Sequence, residues 1–312
     1  MRRLTPLLVL LAAVLAFPAV ASAAATFGIS DQQAGTFSNP LFAPLKAKVA
    51  RYITPYDVMS DEPQRERLDA WVKGATAARQ RILISFEHSR REGREGRLPS
   101  VKEYTREITK FKRKYPRIKE ISSWNEVNRR YDPRRREGQP TWKSPKRVAE
   151  YYMAARKVFR GSKIVGLDIL DENNPNRSIK FIQSFKRHAR PAPKYYGVHN
   201  YSDTNRFSQS RTRRMIRAIG RGAEVWLTET GGIVALGSGT NSSFPYDEQR
   251  AARALGCMFD IARDQKQVKR LYVYQFNGAP QGASFDAGLV DASGAVARPG
   301  YEVAQKRRAR NC

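Results

Sequence analysis

The chain has 312 residues and a formal net charge of +28, from 57 Lys and Arg against 29 Asp and Glu. Its two cysteines and three histidines have no metal-ligand spacing, so we expect neither a metal nor a cofactor. The basic excess could attract anionic wall polymers, acidic polysaccharides or nucleic acid, although basic residues spread over solvated helix faces would give the same charge.

The first 23 residues have the features of a secretory signal peptide. Arg2 and Arg3 precede an apolar run over 7–20, and Ala21-Ser22-Ala23 is a small-residue cleavage site. An uncleaved anchor is the alternative, but the run is shorter than the ~20 residues of a membrane-spanning helix. We therefore expect a secreted, monomeric domain over 24–305 without a membrane span, followed by a basic tail over 306–312.

The two cysteines, Cys257 and Cys312, leave two alternatives open. In an oxidising compartment they would most simply form one disulfide that ties the tail to the body. Two free thiols is the other possibility.

Short apolar runs alternate with longer amphipathic segments along the chain. The runs are rich in Val, Ile, Tyr, Phe and Trp, which is typical of parallel strands covered on both faces. The candidate strands are 26–30, 49–54, 81–86, 120–125, 163–169, 195–200, 224–228 and 270–276. Helical periodicity marks 62–78, 101–115, 148–159 and 247–263, and helix starts are predicted at Asp61 and Ser100.

Eight strand-then-helix units in one domain of this length predict a (β/α)8 TIM barrel, an α/β fold. The alternative, an open doubly wound sheet, would favour a glycine-rich loop after the first strand, and the chain has no G-x-G-x-x-G motif.

Polar side chains gather where the predicted strands end. The active site of a TIM barrel forms at these carboxyl ends. The residues there are Ser30, Asp31, Glu87, His88, Asn125, Glu126, Asp168, His199, Tyr201, Glu229, Gln275, Phe276 and Asn277.

Two of these residues, Glu126 and Glu229, terminate the fourth and seventh strands and would face each other across the barrel mouth. A carboxylate at such a position is costly to bury unless it has partners or a catalytic role. A pair about 5–5.5 Å apart could serve as acid/base and nucleophile of a retaining glycosidase. Alternatively, both could be members of buried ion pairs, for example with Arg51.

The phrases Trp124-Asn125-Glu126 and Thr228-Glu229, on strands 4 and 7, resemble the clan A glycoside hydrolases. The resemblance implies a retaining barrel enzyme with Glu126 as acid/base and Glu229 as nucleophile. It also implies that Asn125 holds the sugar 2-hydroxyl.

The resemblance extends to two further parts of the site. It implies that Tyr201 or His199 supports the nucleophile and that Arg51 lies beside it. One departure concerns strand 8, where the family commonly has a Trp below the sugar and this chain has Phe276. We expect Phe276 to substitute as a smaller stacking surface.

Three other aromatic or acidic residues have roles predicted from their positions alone. Trp142, in the long loop after strand 4, is a candidate for stacking on a distal sugar. Glu87 is a candidate subsite residue, and Trp124 is expected in the core.

The predicted function is hydrolysis of β-glycosidic bonds in a polysaccharide or oligosaccharide by double displacement. Long loops over 129–144 and 231–245 favour endo action. The rival interpretation is a barrel that binds a glycan or a polyanion without turnover.

Overall fold

The computed structural model describes residues 25–237, 243–307 and 312. Within them, eight parallel strands close into a barrel in chain order, and the last strand pairs with the first. The strands are Thr26–Ser30 (β1), Val49–Pro55 (β2), Arg81–Glu87 (β3), Glu120–Ser122 (β4), Lys163–Leu170 (β5), Tyr195–His199 (β6), Glu224–Thr230 (β7) and Val268–Tyr274 (β8). The TIM-barrel prediction is confirmed.

Helices occupy the connections and cover the outside of the barrel. They are Glu62–Ala77 (α1), Val101–Lys114 (α2), Pro145–Val158 (α3), Pro175–His188 (α4), Tyr201–Asn205 (α5), Ser210–Ile219 (α6), Glu248–Asp264 (α7) and Pro299–Lys306 (α8). The side chains of Asp61 and Ser100 accept from the third backbone N–H that follows each, as the capping signals predicted.

The first strand-to-strand connection differs from the expected pattern. Two short 3-10 helices, Ala34–Ser38 and Ala43–Leu45, stand between β1 and β2 where a full α-helix was expected. Pro40 and Pro44 explain the difference, because proline lacks the N–H that a continuing helix requires.

The fourth strand is shorter than predicted, because regular pairing stops at Ser122. The chain nevertheless continues along the barrel, with Ser123 donating its N–H to Val165 on β5 and Asn125 donating to Phe86 on β3. Asn125 and Glu126 therefore reach the carboxyl end of the barrel on an irregular segment.

The predicted core residue Trp124 is fully buried, and its indole stacks on Tyr151 of α3 at 5.0 Å between ring centroids. The structure joins Cys257, on α7, to Cys312 through a disulfide. No helix in the described part of the chain has the length and apolarity to cross a membrane. The predicted signal peptide and residues 308–311 of the predicted tail lie outside the described residues.

Candidate active site

Arg51 lies at the centre of the barrel mouth and connects four strands. It projects from β2 and is completely buried. Its Nη1 donates to Oε2 of Glu229 at 2.8 Å, and its Nη2 donates to Oδ1 of Asn125 at 2.5 Å and to Oδ2 of Asp168 at 3.3 Å. A guanidinium suits this position because its planar fork can hold several acceptors at once.

Glu229 is held by both of its carboxylate oxygens. Arg51 binds Oε2, and the hydroxyl of Tyr201 donates to Oε1 at 3.1 Å. Burial, and then the negative charge of Glu229, raise the pKa of Tyr201 well above its usual value, so the hydroxyl remains a donor. The carboxylate is consequently fixed in orientation, with 7% of the residue exposed.

Glu126 lies on the opposite side of the mouth and is also 7% exposed. Its backbone has a positive φ of 42°, an uncommon conformation for a non-glycine residue that is often found at functional sites. Its Oε1 lies 3.2 Å from Nδ1 of His199, and its Oε2 accepts from Nη1 of Arg129 at 3.2 Å.

Both partners of Glu126 favour its charged form. Burial raises the pKa of Glu126, but the charge of Arg129 and the contact with His199 outweigh burial and lower it to about 2. These contacts therefore keep Glu126 as a carboxylate.

His199 is itself held as a cation. Burial lowers its pKa, but the charges of Asp168 and Glu229 outweigh this effect and raise it to about 10. Its Nε2 lies 3.0 Å from Oδ1 of Asp168, so both ring nitrogens face carboxylates. Asp168 is fully buried, and its pKa is lowered because His199 and Arg51 overcome the effect of burial.

One oxygen each of Glu126 and Glu229 and one nitrogen of His199 lie within 4.8 Å of one another. Three such groups could in principle bind a metal. Both nitrogens of His199 face carboxylates, however, and an imidazole kept protonated by its raised pKa has no free lone pair to offer a metal. The arrangement fits a paired-carboxylate site better than a metal site.

Glu87 lies at the end of β3, away from the two central carboxylates. It pairs with Arg90 at 2.7 Å and accepts from Nε2 of Gln139 at 3.3 Å. Trp142 lies in the loop after β4, with Lys143 4.2 Å and Arg130 5.7 Å from its ring centroid. The structure brings neither residue into contact with Glu126 or Glu229.

The expectation that Phe276 forms a stacking surface is wrong. Its side chain is completely buried, and its ring packs 6.0 Å from that of Phe42 in the core. Strand β8 ends two residues earlier than predicted, at Tyr274, and Asp31 accepts the backbone N–H of Phe276 at 2.9 Å just beyond it.

Tyr274, the last residue of β8, is partly exposed, unlike Phe276. Its ring lies 6.0 Å from that of Phe285, which in turn lies 5.7 Å from Tyr201. These three rings form an aromatic wall beside Glu229. A correct end for β8 would have identified Tyr274, whereas Phe285 begins the two-residue strand Phe285–Asp286, which the sequence did not predict.

A closed parallel barrel with two carboxylates facing each other at its mouth is an arrangement characteristic of glycoside hydrolases. The chain belongs to the family described as glycosyl hydrolase catalytic core, whose sequence profile matches residues 100–301. The resemblance to clan A is confirmed, with Asn125-Glu126 following β4 and Glu229 on β7.

Solved structures share the fold at low sequence identity. A GH5_18 enzyme from Streptomyces cattleya matches with a TM-score of 0.64 and 13% identity, over 91% of this chain and 79% of that one. An endo-1,4-beta-xylanase from Caldicellulosiruptor owensensis matches with a TM-score of 0.64 and 14% identity, over 90% and 96%. A fungal beta-1,4-galactanase matches with a TM-score of 0.65 and 13% identity, over 91% and 100%. No curated protein matches the chain by sequence.

Proposed function

We propose that the protein is a retaining glycosidase that hydrolyses a β-linked glycan, with Glu229 as nucleophile and Glu126 as acid/base. The observation that carries the proposal is the separation of the two carboxylates, which have oxygens within 4.8 Å of each other. Retaining enzymes need about 5–5.5 Å between these groups, whereas inverting enzymes need about 6.5–9.5 Å to admit a water.

In the first step, Oε of Glu229 attacks the anomeric carbon while the bond from that carbon to the leaving oxygen breaks. Glu126 gives its proton to the leaving oxygen, and a glycosyl ester on Glu229 results. In the second step, Glu126 takes a proton from water, the water oxygen bonds to the anomeric carbon, and Glu229 leaves as a carboxylate.

The residues around Glu229 support this role. Arg51 and Tyr201 hold it by both oxygens, which orients it for in-line attack. Asn125 uses its carbonyl oxygen for Arg51, and its amide nitrogen has no partner among the described residues. That N–H₂ group is available to donate to a sugar 2-hydroxyl.

The two partners of Glu126 bear on its proposed role as the acid. Glu126 is ionised beside Arg129 and the cationic His199, and a general acid must carry a proton. Weakening either of these two contacts would favour the protonated form of Glu126 that the first step uses.

The test uses aryl β-glycosides that carry a good leaving group. Glu229→Ala should lose turnover by at least about 10³-fold, and added azide should partly restore it by forming a glycosyl azide of inverted configuration. Proton NMR of wild-type products should show the β-anomer first. Ordinary turnover by Glu229→Ala, or an α-anomer as first product, would refute the assignment.

Export from the cytoplasm and endo action are part of the same proposal. The Cys257–Cys312 disulfide supports export, because such bonds persist mainly in oxidising compartments. The long segment over 127–144 beside Glu126 supports action within a polymer chain. Size analysis of products from a soluble polysaccharide would show mid-length fragments first for endo action and monomers or dimers first for exo action.

A further inference from the structure

Two neighbouring loops at the barrel mouth are strongly basic. They follow β3 and β4 and span residues 88–100 and 127–144, and we call them the basic loops. Together they contain ten basic and four acidic residues. The basic residues are Arg90, Arg91, Arg94, Arg97, Arg129, Arg130, Arg134, Arg135, Arg136 and Lys143, and an ion pair between Arg136 and Glu95 joins the two loops.

Part of this charge is not neutralised by the protein itself. Arg94 and Arg97 pair with Glu103 on α2. By contrast, Arg91, Arg134 and Arg135 are exposed, and their side chains have no ion-pair partner in the described part of the chain. Exposed cations grouped on one rim of a cleft raise the local concentration of anionic ligands.

Arg129 connects the basic loops to the catalytic centre. Its Nη1 contacts Glu126 at 3.2 Å, its Nη2 lies 3.6 Å from Glu137, and its side chain is 47% exposed. The guanidinium of Arg129 therefore lies on the solvent side of Glu126 and already binds two carboxylates. A substrate that reaches Glu126 has to contact it.

We propose that the substrate is an acidic glycan, one whose sugar carries a carboxylate next to the scissile bond, and that this carboxylate takes Arg129 from Glu126. The proposal rests on the function proposed above and specifies its substrate class. Carboxylate and guanidinium form paired, charge-assisted hydrogen bonds, so Arg129 would distinguish a sugar acid from the neutral sugar of the same shape.

The movement of Arg129 from Glu126 to the substrate would also favour protonation of Glu126. Once Arg129 has turned to the substrate, Glu126 loses one of the two cations that keep it ionised and can take up a proton. A neutral glycan would leave the Arg129–Glu126 pair in place. Arg129 would thus favour an acidic substrate in two ways. It would increase the affinity for that substrate, and its movement would allow Glu126 to be protonated.

Binding is measured first, without turnover, in the Glu229→Gln background. The probes are oligomers of β-1,4-mannuronate and β-1,4-mannan, and oligomers of β-1,4-glucuronate and β-1,4-glucose. We expect at least one sugar acid to bind about tenfold or more tightly than its neutral partner. Arg129→Gln should remove most of this preference and Arg129→Lys should keep part of it. Arg113→Gln, an exposed arginine in the last turn of α2 at the other end of the barrel, should leave the preference unchanged.

Turnover provides the second measurement. On an activated neutral glycoside, Arg129→Gln should move the alkaline limb of the pH–rate profile to higher pH, because Glu126 would keep its proton longer. A folding defect would change the melting temperature instead, and that temperature is measured for every variant.

The outcomes separate the two proposals. Four results would overturn the acidic-glycan proposal. Acidic and neutral oligomers could bind equally, or Arg129→Gln could leave the preference unchanged. The other two are no binding of any oligomer and tighter binding of a phosphorylated mannan. Hydrolysis of neutral glycans with retention would leave the proposed function standing in that case. Acid-selective, Arg129-dependent binding without any hydrolysis would support the substrate class and refute the glycosidase.

Discussion

Arg51 and Glu229 form a buried ion pair, 2.8 Å from Nη1 to Oε2, that links the second strand of the barrel to the seventh. The same guanidinium holds Asp168 and Asn125, the residue before Glu126, so it contacts one proposed catalytic glutamate directly and the chain neighbour of the other. Because the group is completely buried, removing it would leave Glu229 and Asp168 with only His199 as a counter-charge in a medium of low polarity.

We predict that Arg51→Lys folds but loses most activity. Lysine keeps the charge but not the planar fork, so it cannot hold Glu229 and Asn125 in the present geometry. The expected loss in kcat is about 10²-fold, measured on an aryl glycoside. Arg51→Met should in addition lose about 3–5 kcal/mol of stability, because Glu229 and Asp168 would lose their shared ion-pair partner and keep only His199. Full activity in Arg51→Lys would show that the fork is dispensable.

We predict that the protein loses stability as pH rises from 6.5 to about 10, owing to His199. The folded pKa of His199 is raised to about 10 from 6.5, so its contribution is complete below pH 6.5 and disappears as pH rises through the folded value. The contribution is on the order of 3–5 kcal/mol.

The measurement is chemical unfolding of wild type and His199→Gln between pH 5.5 and 10. Tyrosines and lysines also titrate in this range, but they contribute equally to both proteins. Their contribution therefore cancels in the difference between the two free energies of unfolding. It should be largest at pH 5.5 to 6.5 and shrink toward pH 10. A difference independent of pH would mean that His199 is neutral in the folded protein.

We predict that replacing Phe276 mainly lowers stability, whereas replacing Tyr274 mainly raises KM. Phe276→Ala should destabilise the fold by about 3–5 kcal/mol, because Phe276 is fully buried in the core. Tyr274→Ala should change the melting temperature less and raise KM at least about fivefold, because its partly exposed ring lies in the aromatic wall beside Glu229. Unchanged KM in Tyr274→Ala would exclude a role in substrate binding.

We predict that the disulfide stabilises the protein without affecting catalysis. It joins residues 55 apart in sequence, and closing a loop of that size contributes about 2–4 kcal/mol. Cys312→Ser should lower the melting temperature and leave kcat unchanged. A reducing agent should lower the wild-type melting temperature to that of Cys312→Ser and leave the variant as it is. If the reducing agent lowered both equally, another effect would be responsible.

Much of the fold follows from local patterns in the sequence. Continuous apolar runs predicted the eight barrel strands, and capping residues such as Ser100 predicted helix starts, because these signals arise within a few neighbouring residues. The same patterns placed Glu126 and Glu229 at strand ends. Parallel strands in a closed barrel have all their carboxyl ends on one face, so the two glutamates had to share it.

The tertiary structure decided how the site is completed. The sequence predicted a long loop over 129–144, but only the path of that loop after β4 places Arg129 on Glu126 at 3.2 Å. The sequence also suggested Phe276 at the surface, whereas the earlier end of β8 turns it into the core. Local patterns specify strands and their order, while the direction of a side chain at an irregular strand end depends on packing with residues far away in sequence.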